Sequence, residues 1–276
     1  MKPEAPLLEV DGLRVVIGAP GGAAEALRDV SFCIARGETL ALVGESGSGK
    51  TMTAHAIMRL LPPPARITDG RIVLHSRAEG EIDLTALRDK APVLRRVRGG
   101  LVSMIFQEPM TALSPVHTVG NQVMEAIRVH RDLDRADARR RTLAMLEKVG
   151  IPDSARRFDC YPHELSGGLR QRAIIAMALV CRPELLIADE PTAALDLTIQ
   201  AQILGLIRAF QREIGCSVLL ITHDFGIVAH VADRVAVLHL GEVVESGKTR
   251  EILCRPRHPY TRALLSAQPG RRTRTG

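Results

Sequence analysis

Gly44-Glu45-Ser46-Gly47-Ser48-Gly49-Lys50-Thr51 fits the spacing GxxxxGK[ST]. Glycines at these places let the backbone curl, so that successive N–H groups aim at one point where phosphate oxygens can sit. Lys50 adds a point charge for the outer phosphates of a nucleotide, and the Thr51 hydroxyl can ligate Mg²⁺. The loop follows an apolar run, Thr39–Val43, and precedes a helical pattern whose positive dipole end would face the same anion. A glycine-rich turn without a ligand is the competing reading. The strand–loop–helix context argues against it.

A second constellation is Leu185-Leu186-Ile187-Ala188-Asp189-Glu190. Apolar residues make a buried strand, and two carboxylates emerge at its C-terminal end, where open α/β sheets place ligands. Asp189 suits Mg²⁺, directly or through water. Glu190 can polarise a water for in-line attack on a γ-phosphate. Alone, two acids at a strand end would be solvated turn residues; beside a phosphate loop the functional reading wins. Third, Leu165-Ser166-Gly167-Gly168-Leu169-Arg170-Gln171-Arg172 precedes an apolar helix. Ser166 is a good N-cap, and Gly167 and Gly168 leave the helix end bare as a second anion site. Two phosphate-binding ends far apart in one chain invite a sandwich of two chains.

Elements must hold these residues in place. Leu7–Ile17 alternates and breaks at Gly18-Ala19-Pro20-Gly21-Gly22, and Leu27–Ile34 resumes, which predicts an antiparallel hairpin. Thr39–Val43, Arg71–His75, Leu101–Phe106, Leu185–Ala188, Val218–Thr222 and Val235–Leu240 are further strand candidates. Helical periodicity runs over Met52–Leu61 up to Pro62-Pro63-Pro64, over 118–150, over Ser166–Cys181 and over Leu197–Ile214. Strands alternating with helices predict an α/β fold with a largely parallel sheet.

Composition excludes several classes. The 276 residues are 46% apolar and 25% charged, enough core material to rule out disorder. The longest apolar stretch, Ala173–Cys181, is far short of the roughly 20 residues that span a bilayer. MKPEAPLLEV has acids and prolines where a signal peptide is apolar, so the chain is expected to be neither secreted nor self-inserting. Cys33, Cys160, Cys181, Cys216 and Cys254 show no CxxC spacing, which argues against a zinc site or disulfide framework and for a reducing cytosol. The net charge of +6 gathers partly in Arg95-Arg96-Val97-Arg98, Arg139-Arg140-Arg141 and Arg271-Arg272-Thr273-Arg274. Such clusters could face nucleic acid or anionic lipid; a solvated helix face is the favoured reading, since no interleaved aromatics support base stacking, and charge alone does not decide.

The motifs together resemble the ATP-binding subunit of an ABC transporter over nearly the whole chain. The resemblance implies that Gly44–Thr51 is the Walker A loop and that Gln107, in Phe106-Gln107-Glu108-Pro109, is the Q-loop glutamine, a sensor for Mg²⁺ and the attacking water. It makes Leu165–Gln171 the signature and Leu185–Glu190 the Walker B strand with its catalytic glutamate. Ala194-Leu195-Asp196 becomes the D-loop, and His223, in Ile221-Thr222-His223-Asp224, the switch histidine that reaches the γ-phosphate. Gln107–Pro115, Asp189–Asp196 with Thr198–Gln202, and His258-Pro259-Tyr260-Thr261-Arg262-Ala263-Leu264-Leu265 resemble the dipeptide/oligopeptide/nickel importers.

That resemblance implies a P-loop NTPase fold with a RecA-like core and a flanking antiparallel subdomain across residues 1–250. A helical subdomain at 107–165 would dock a permease, and a short C-terminal segment would occupy 251–276. It implies ATP and Mg²⁺ as cofactors. It also implies a second homologous ATPase subunit, two permease subunits and, indirectly, an extracytoplasmic solute-binding protein, with the chain peripheral on the cytoplasmic face of the inner membrane. Peptide import is the expected task. A nickel or other small-solute importer of the same family is the alternative, and a soluble ABC-type ATPase acting on nucleic acid or ribosomes is a weaker one. Relatives often carry a longer cysteine-bearing tail, absent here, so no iron–sulfur site is expected. Ile17 falls where an aromatic usually stacks on adenine, so base discrimination is expected to be weak.

Overall fold

Every residue of Thr39–Val43 and of Ser217–Thr222 is buried, as continuous apolar runs in parallel strands require. The computed structural model describes residues 5–18, 22–107, 112–193 and 195–267. Glu108–Thr111, Ala194, Pro20 and the Arg271–Arg274 cluster lie outside the described residues. The chain divides into two compact units, one of residues 1–91 with 217–276 and one of residues 92–216.

The first unit holds β1 (Leu8–Ile17), β2 (Ala24–Ile34), β3 (Thr39–Val43), α1 (Lys50–Ile57), β4 (Ala65–Ser76) and β5 (Gly80–Asp83). After the second unit's residues it continues with β8 (Ser217–Thr222), α8 (Phe225–Val231), β9 (Arg234–His239), β10 (Glu242–Lys248), α9 (Thr249–Cys254) and α10 (Pro259–Ser266). Its strands run in the order β5-β4-β1-β2-β10-β9-β3-β8. β3 is parallel to both β8 and β9, whereas β1 is antiparallel to β2 and β4, and β4 to β5. The sheet is therefore mixed, not largely parallel: β1–β2 and β4–β5 are hairpins whose short connections cannot accommodate a crossover, and β4 returns antiparallel to β1 after β3 and α1. The hairpin expected from the Gly18–Gly22 break is present, with Leu8 opposite Ile34 and Ile17 opposite Ala24. Ala41, Val43, Val235 and Val237 pack with Phe225, Val228, Ile252 and Leu265 into one apolar cluster, which buries α8, α9 and α10 against the strands.

Helix α1 stops at Ile57, short of the expected Leu61. Arg59 takes a left-handed φ of 55°, the Arg59 N–H donates to Ala56 O at 3.0 Å and the Leu60 N–H to His55 O at 2.8 Å. This is a Schellman closure, so the helix ends before the prolines are reached.

The second unit holds α2 (Pro92–Val97), β6 (Val102–Ile105), α3 (Val119–His130), α4 (Arg135–Lys148), α5 (Ser154–Phe158), α6 (Gly167–Leu179), β7 (Leu185–Asp189) and α7 (Leu197–Ile214). The helical pattern over 118–150 is two helices, because Asp134 caps α4 by accepting from the Asp137 N–H at 2.7 Å. Helix α3 buries Val119, Val123 and Ile127, spaced one turn apart. Arg139 lies 4.8 Å over the Phe158 ring and Arg140 pairs with Asp137, so two of the three arginines of that cluster have partners within the unit.

Candidate functional site

In the first unit, β3 runs through Gly44–Gly49 into α1. A Cβ on Gly44 would lie 2.2 Å from Leu238 O, and one on Gly49 (φ +109°) 2.6 Å from Leu27 Cδ2. Only glycine fits where the loop presses this closely on β9 and β2. Two hydrogen bonds hold the loop: the Gly241 N–H donates to Ser48 O at 3.0 Å, and the Glu45 N–H to Tyr260 Oη at 3.1 Å. Lys50 Nζ donates to Gly44 O at 2.8 Å and to Glu45 O at 2.7 Å, which keeps its ammonium over the loop.

Helix α1 has Gly49 as N-cap, with no side-chain cap and no acid in its first turn. Such a helix end attracts an anion. Glu45, Ser46 and Gly47 are exposed, and the buried Ser48 hydroxyl has no hydrogen-bond partner among the described residues. These features suit a polyphosphate. Val43 lies opposite Thr222 in the parallel pairing of β3 and β8, so Gly44 and exposed His223 leave adjacent strands at the same end. Asp224 is a helix cap, accepting from the Gly226 N–H at 2.6 Å and the Ile227 N–H at 3.3 Å.

In the second unit, β6 and β7 are parallel, with Ile105 opposite Ala188. Gln107 and Glu190 therefore emerge together, and Gln107 Nε2 donates to Glu190 Oε2 at 3.4 Å. Glu190 has a φ of 45°, a left-handed conformation that costs a non-glycine residue about 1 kcal/mol. Asp189, at the end of β7, is 1% exposed. Gln171, from α6, donates to Pro191 O at 2.6 Å and ties that helix to the turn carrying Glu190. At the start of α6, Ser166 is the N-cap but makes no side-chain cap bond, and it is exposed together with Gly167. Gly168 is half-buried, and a Cβ there would be 3.5 Å from Ile199 Cγ2. Asp196 caps α7, accepting from the Ile199 N–H at 2.9 Å.

The family described as "ABC transporter" matches residues 27–193, and the "oligopeptide/dipeptide transporter, C-terminal region" matches residues 244–275. The chain belongs to the ABC transporter family of ATPases. A putative peptide import ATP-binding protein of Brucella ovis is 51% identical over 96% of this ABC ATPase and 78% of its own length. The dipeptide transport ATP-binding protein DppD of Bacillus subtilis is 52% identical over 95% and 77%. The glutathione import ATP-binding protein GsiA of Pectobacterium atrosepticum is 52% identical over 98% of this chain and 43% of its own. Among solved structures, the dimeric ATP-binding cassette MJ0796 bound to ADP and Pi superposes with a TM-score of 0.76 at 27% identity, covering 88% of this chain and 99% of the cassette. The α/β fold of an ABC cassette follows.

Within this ABC ATPase, the first unit brings Gly44–Thr51 and His223 to one strand end, and the second brings Gln107, Asp189 and Glu190 to another. Thr51 of the first unit carries a hydroxyl oxygen, and Gln107 and Asp189 of the second carry carboxamide and carboxylate oxygens, each a hard donor by type. Two contacts at these sites have no role in the sequence reading: Gln171 beneath the Glu190 turn and Tyr260 against the loop. Both residues sit in quoted motifs. Only the fold shows what they touch.

Proposed function

We propose that this subunit hydrolyses ATP to drive import of dipeptides or oligopeptides through a membrane permease. The observation that carries the substrate class is the match to the oligopeptide/dipeptide transporter C-terminal region at residues 244–275, on the same chain as the ABC transporter match at 27–193. The peptide-import names of the Brucella and Bacillus relatives support it. In this reading the subunit docks peripherally on two permease subunits at the cytoplasmic face; no helix among the described residues is long and apolar enough to cross a membrane. An extracytoplasmic binding protein would supply the solute.

In this reading the backbone amides of Gly44–Thr51 hold the triphosphate, with Glu45, Ser46, Gly47, Ser48 and Gly49 forming the curl and Lys50 neutralising the outer oxygens. Thr51, Asp189 and Gln107 would hold Mg²⁺, which neutralises charge on the phosphate oxygens. Glu190 orients and deprotonates the attacking water, and Gln107, at hydrogen-bond distance from Glu190, senses it. His223 contacts the γ-phosphate. Ser166, Gly167 and Gly168 complete a site on a second ATPase subunit, and Asp196 lies at the same interface. The dimeric state of MJ0796 supports that arrangement.

The test is uptake. Deleting the gene should abolish uptake of labelled dipeptides and tripeptides and leave Ni²⁺ uptake intact. Loss of Ni²⁺ uptake with peptide uptake unchanged would replace peptide by metal as the cargo. The GsiA match makes glutathione a necessary arm of the same experiment.

A further inference from the structure

The C-terminal segment reaches back to the phosphate loop. The ring of Tyr260, at the start of α10, stacks on His239 with centroids 3.7 Å apart and planes 29° apart, and its hydroxyl accepts from the Glu45 N–H at 3.1 Å. His239 ends β9, and the turn that follows supplies the Gly241 N–H bonded to Ser48 O at 3.0 Å. The loop is therefore gripped at its second and fifth residues, once through Tyr260 and once through the turn that follows His239, the residue on which Tyr260 stacks.

Tyr260 is itself well anchored. Leu265 is buried in the cluster that contains Ala41 and Val43 of β3, the strand that delivers the loop, and Tyr260 and Leu264 pack against it. Ahead of the helix, Glu245 accepts from the Arg257 N–H at 2.7 Å and the His258 N–H at 3.0 Å, and His258 Nδ1 accepts from the Tyr260 N–H at 3.2 Å. Burial pushes the phenol pKa up. The Glu45 N–H opposes that rise and the Glu45 carboxylate adds to it, so the hydroxyl stays protonated at neutral pH.

We infer that Tyr260 is a positioning residue for the phosphate loop: the C-terminal segment pre-orders Gly44–Thr51 for nucleotide through the phenol. The inference rests on the reading of that loop as the phosphate site. Exposed Glu45–Gly47 would otherwise sample many conformations, and an anion held by backbone amides must order them on binding. Fixing one amide beforehand lowers that cost, so the effect belongs to affinity and not to the chemical step.

The full chain tests this by calorimetric titration with MgADP and by steady-state hydrolysis of MgATP. Tyr260→Phe keeps the ring and its stack but removes the acceptor. It should raise the MgADP Kd and the MgATP KM three- to tenfold, with kcat within twofold. His239→Ala should shift both constants the same way by less. The double variant should fall short of the product of the two, because the stack acts by placing the hydroxyl. Lys50→Ala is the control for the loop. If it binds MgADP as the unaltered chain does, the phosphate-loop reading fails. If it loses binding while Tyr260→Phe keeps full affinity, or lowers kcat at constant KM, the positioning role is overturned.

Discussion

Gln107 and Glu190 are 83 residues apart in sequence, yet Gln107 Nε2 lies 3.4 Å from Glu190 Oε2. Their contact follows from the parallel pairing of β6 and β7, whose ends release both side chains side by side. Glu190 also takes a left-handed backbone conformation, with its turn closed by the Ala193 N–H on Glu190 O at 3.0 Å. A strained, strand-end carboxylate touching an exposed carboxamide is suited to orienting a water. Glu190→Gln keeps the shape and removes the base. It should bind MgATP as before and lose hydrolysis by roughly 10² or more. Phosphate release and nucleotide binding measured together check this; turnover within a few-fold of the unaltered chain would falsify the role.

Asp196 does structural work as a cap, whatever else it contacts. Its carboxylate accepts the Ile199 N–H at 2.9 Å at the start of α7. Asp196→Ala should lower stability by about 1 kcal/mol in urea unfolding, while Asp196→Asn, which still offers an acceptor, should stay within about 0.5 kcal/mol. If Asn restores stability but not ATP hydrolysis, the negative charge acts in the proposed pair of ATPase subunits. Equal destabilisation by both variants would remove the capping role.

Ile17 ends β1 opposite Ala24 and Ala65 and is 37% exposed. A branched aliphatic offers a purine dispersion contact, whereas an aromatic face adds stacking of roughly 1–3 kcal/mol. With affinity drawn mainly from phosphate contacts, GTP should support hydrolysis within about tenfold of ATP in kcat/KM, a gap of ~1.4 kcal/mol. Ile17→Tyr should sharpen the preference for ATP. A hundredfold ATP preference in the unaltered chain would mean that another residue holds the base.

Glu245 links pH to the C-terminal segment. Burial raises its pKa, but hydrogen bonds, among them those from the backbone N–H groups of Arg257 and His258, outweigh burial and leave it lowered. A carboxylate with a lowered folded-state pKa contributes stability above its unfolded value, about 4.3, and loses it as pH falls through the folded value. Acidification below that range should therefore loosen α10. Hydrogen exchange at 257–266 read against pH should show protection falling on the acid side, and Glu245→Gln should flatten the profile. A profile that is flat in the unaltered chain rejects the linkage.

Much of this was legible in the order of residue types. The Thr39–Val43 and Leu185–Ala188 runs are apolar without interruption, so a buried parallel strand was the reading of lowest energy, and β3 and β7 are there. Leu197–Ile214 matches its periodic segment end for end, because Asp196 caps it and Gly215 closes it with a left-handed φ of 69°. Less periodic pieces were not legible. β5 is Gly-Glu-Ile-Asp, too polar and short to announce itself, and it forms because β4 offers an edge with Val73 facing Asp83. The break at 131–134 and the early stop of α1 are local closures, which periodicity does not register.

Sequence alone determined which groups could bind phosphate, ligate a hard cation or activate water, because those powers belong to residue type and short spacing. Gly44–Thr51, Asp189–Glu190 and Ser166–Gly168 are each contiguous, so their chemistry survives without knowing the fold. Only tertiary structure decided which distant residues share a place. Gln107 meets Glu190 through strand register, Gln171 supports the turn after Glu190 from a helix, and Tyr260 reaches Glu45 across 215 positions because α10 packs on β3. Such pairings come from burying apolar faces against one another, and the polar contacts follow from where that burial leaves the side chains.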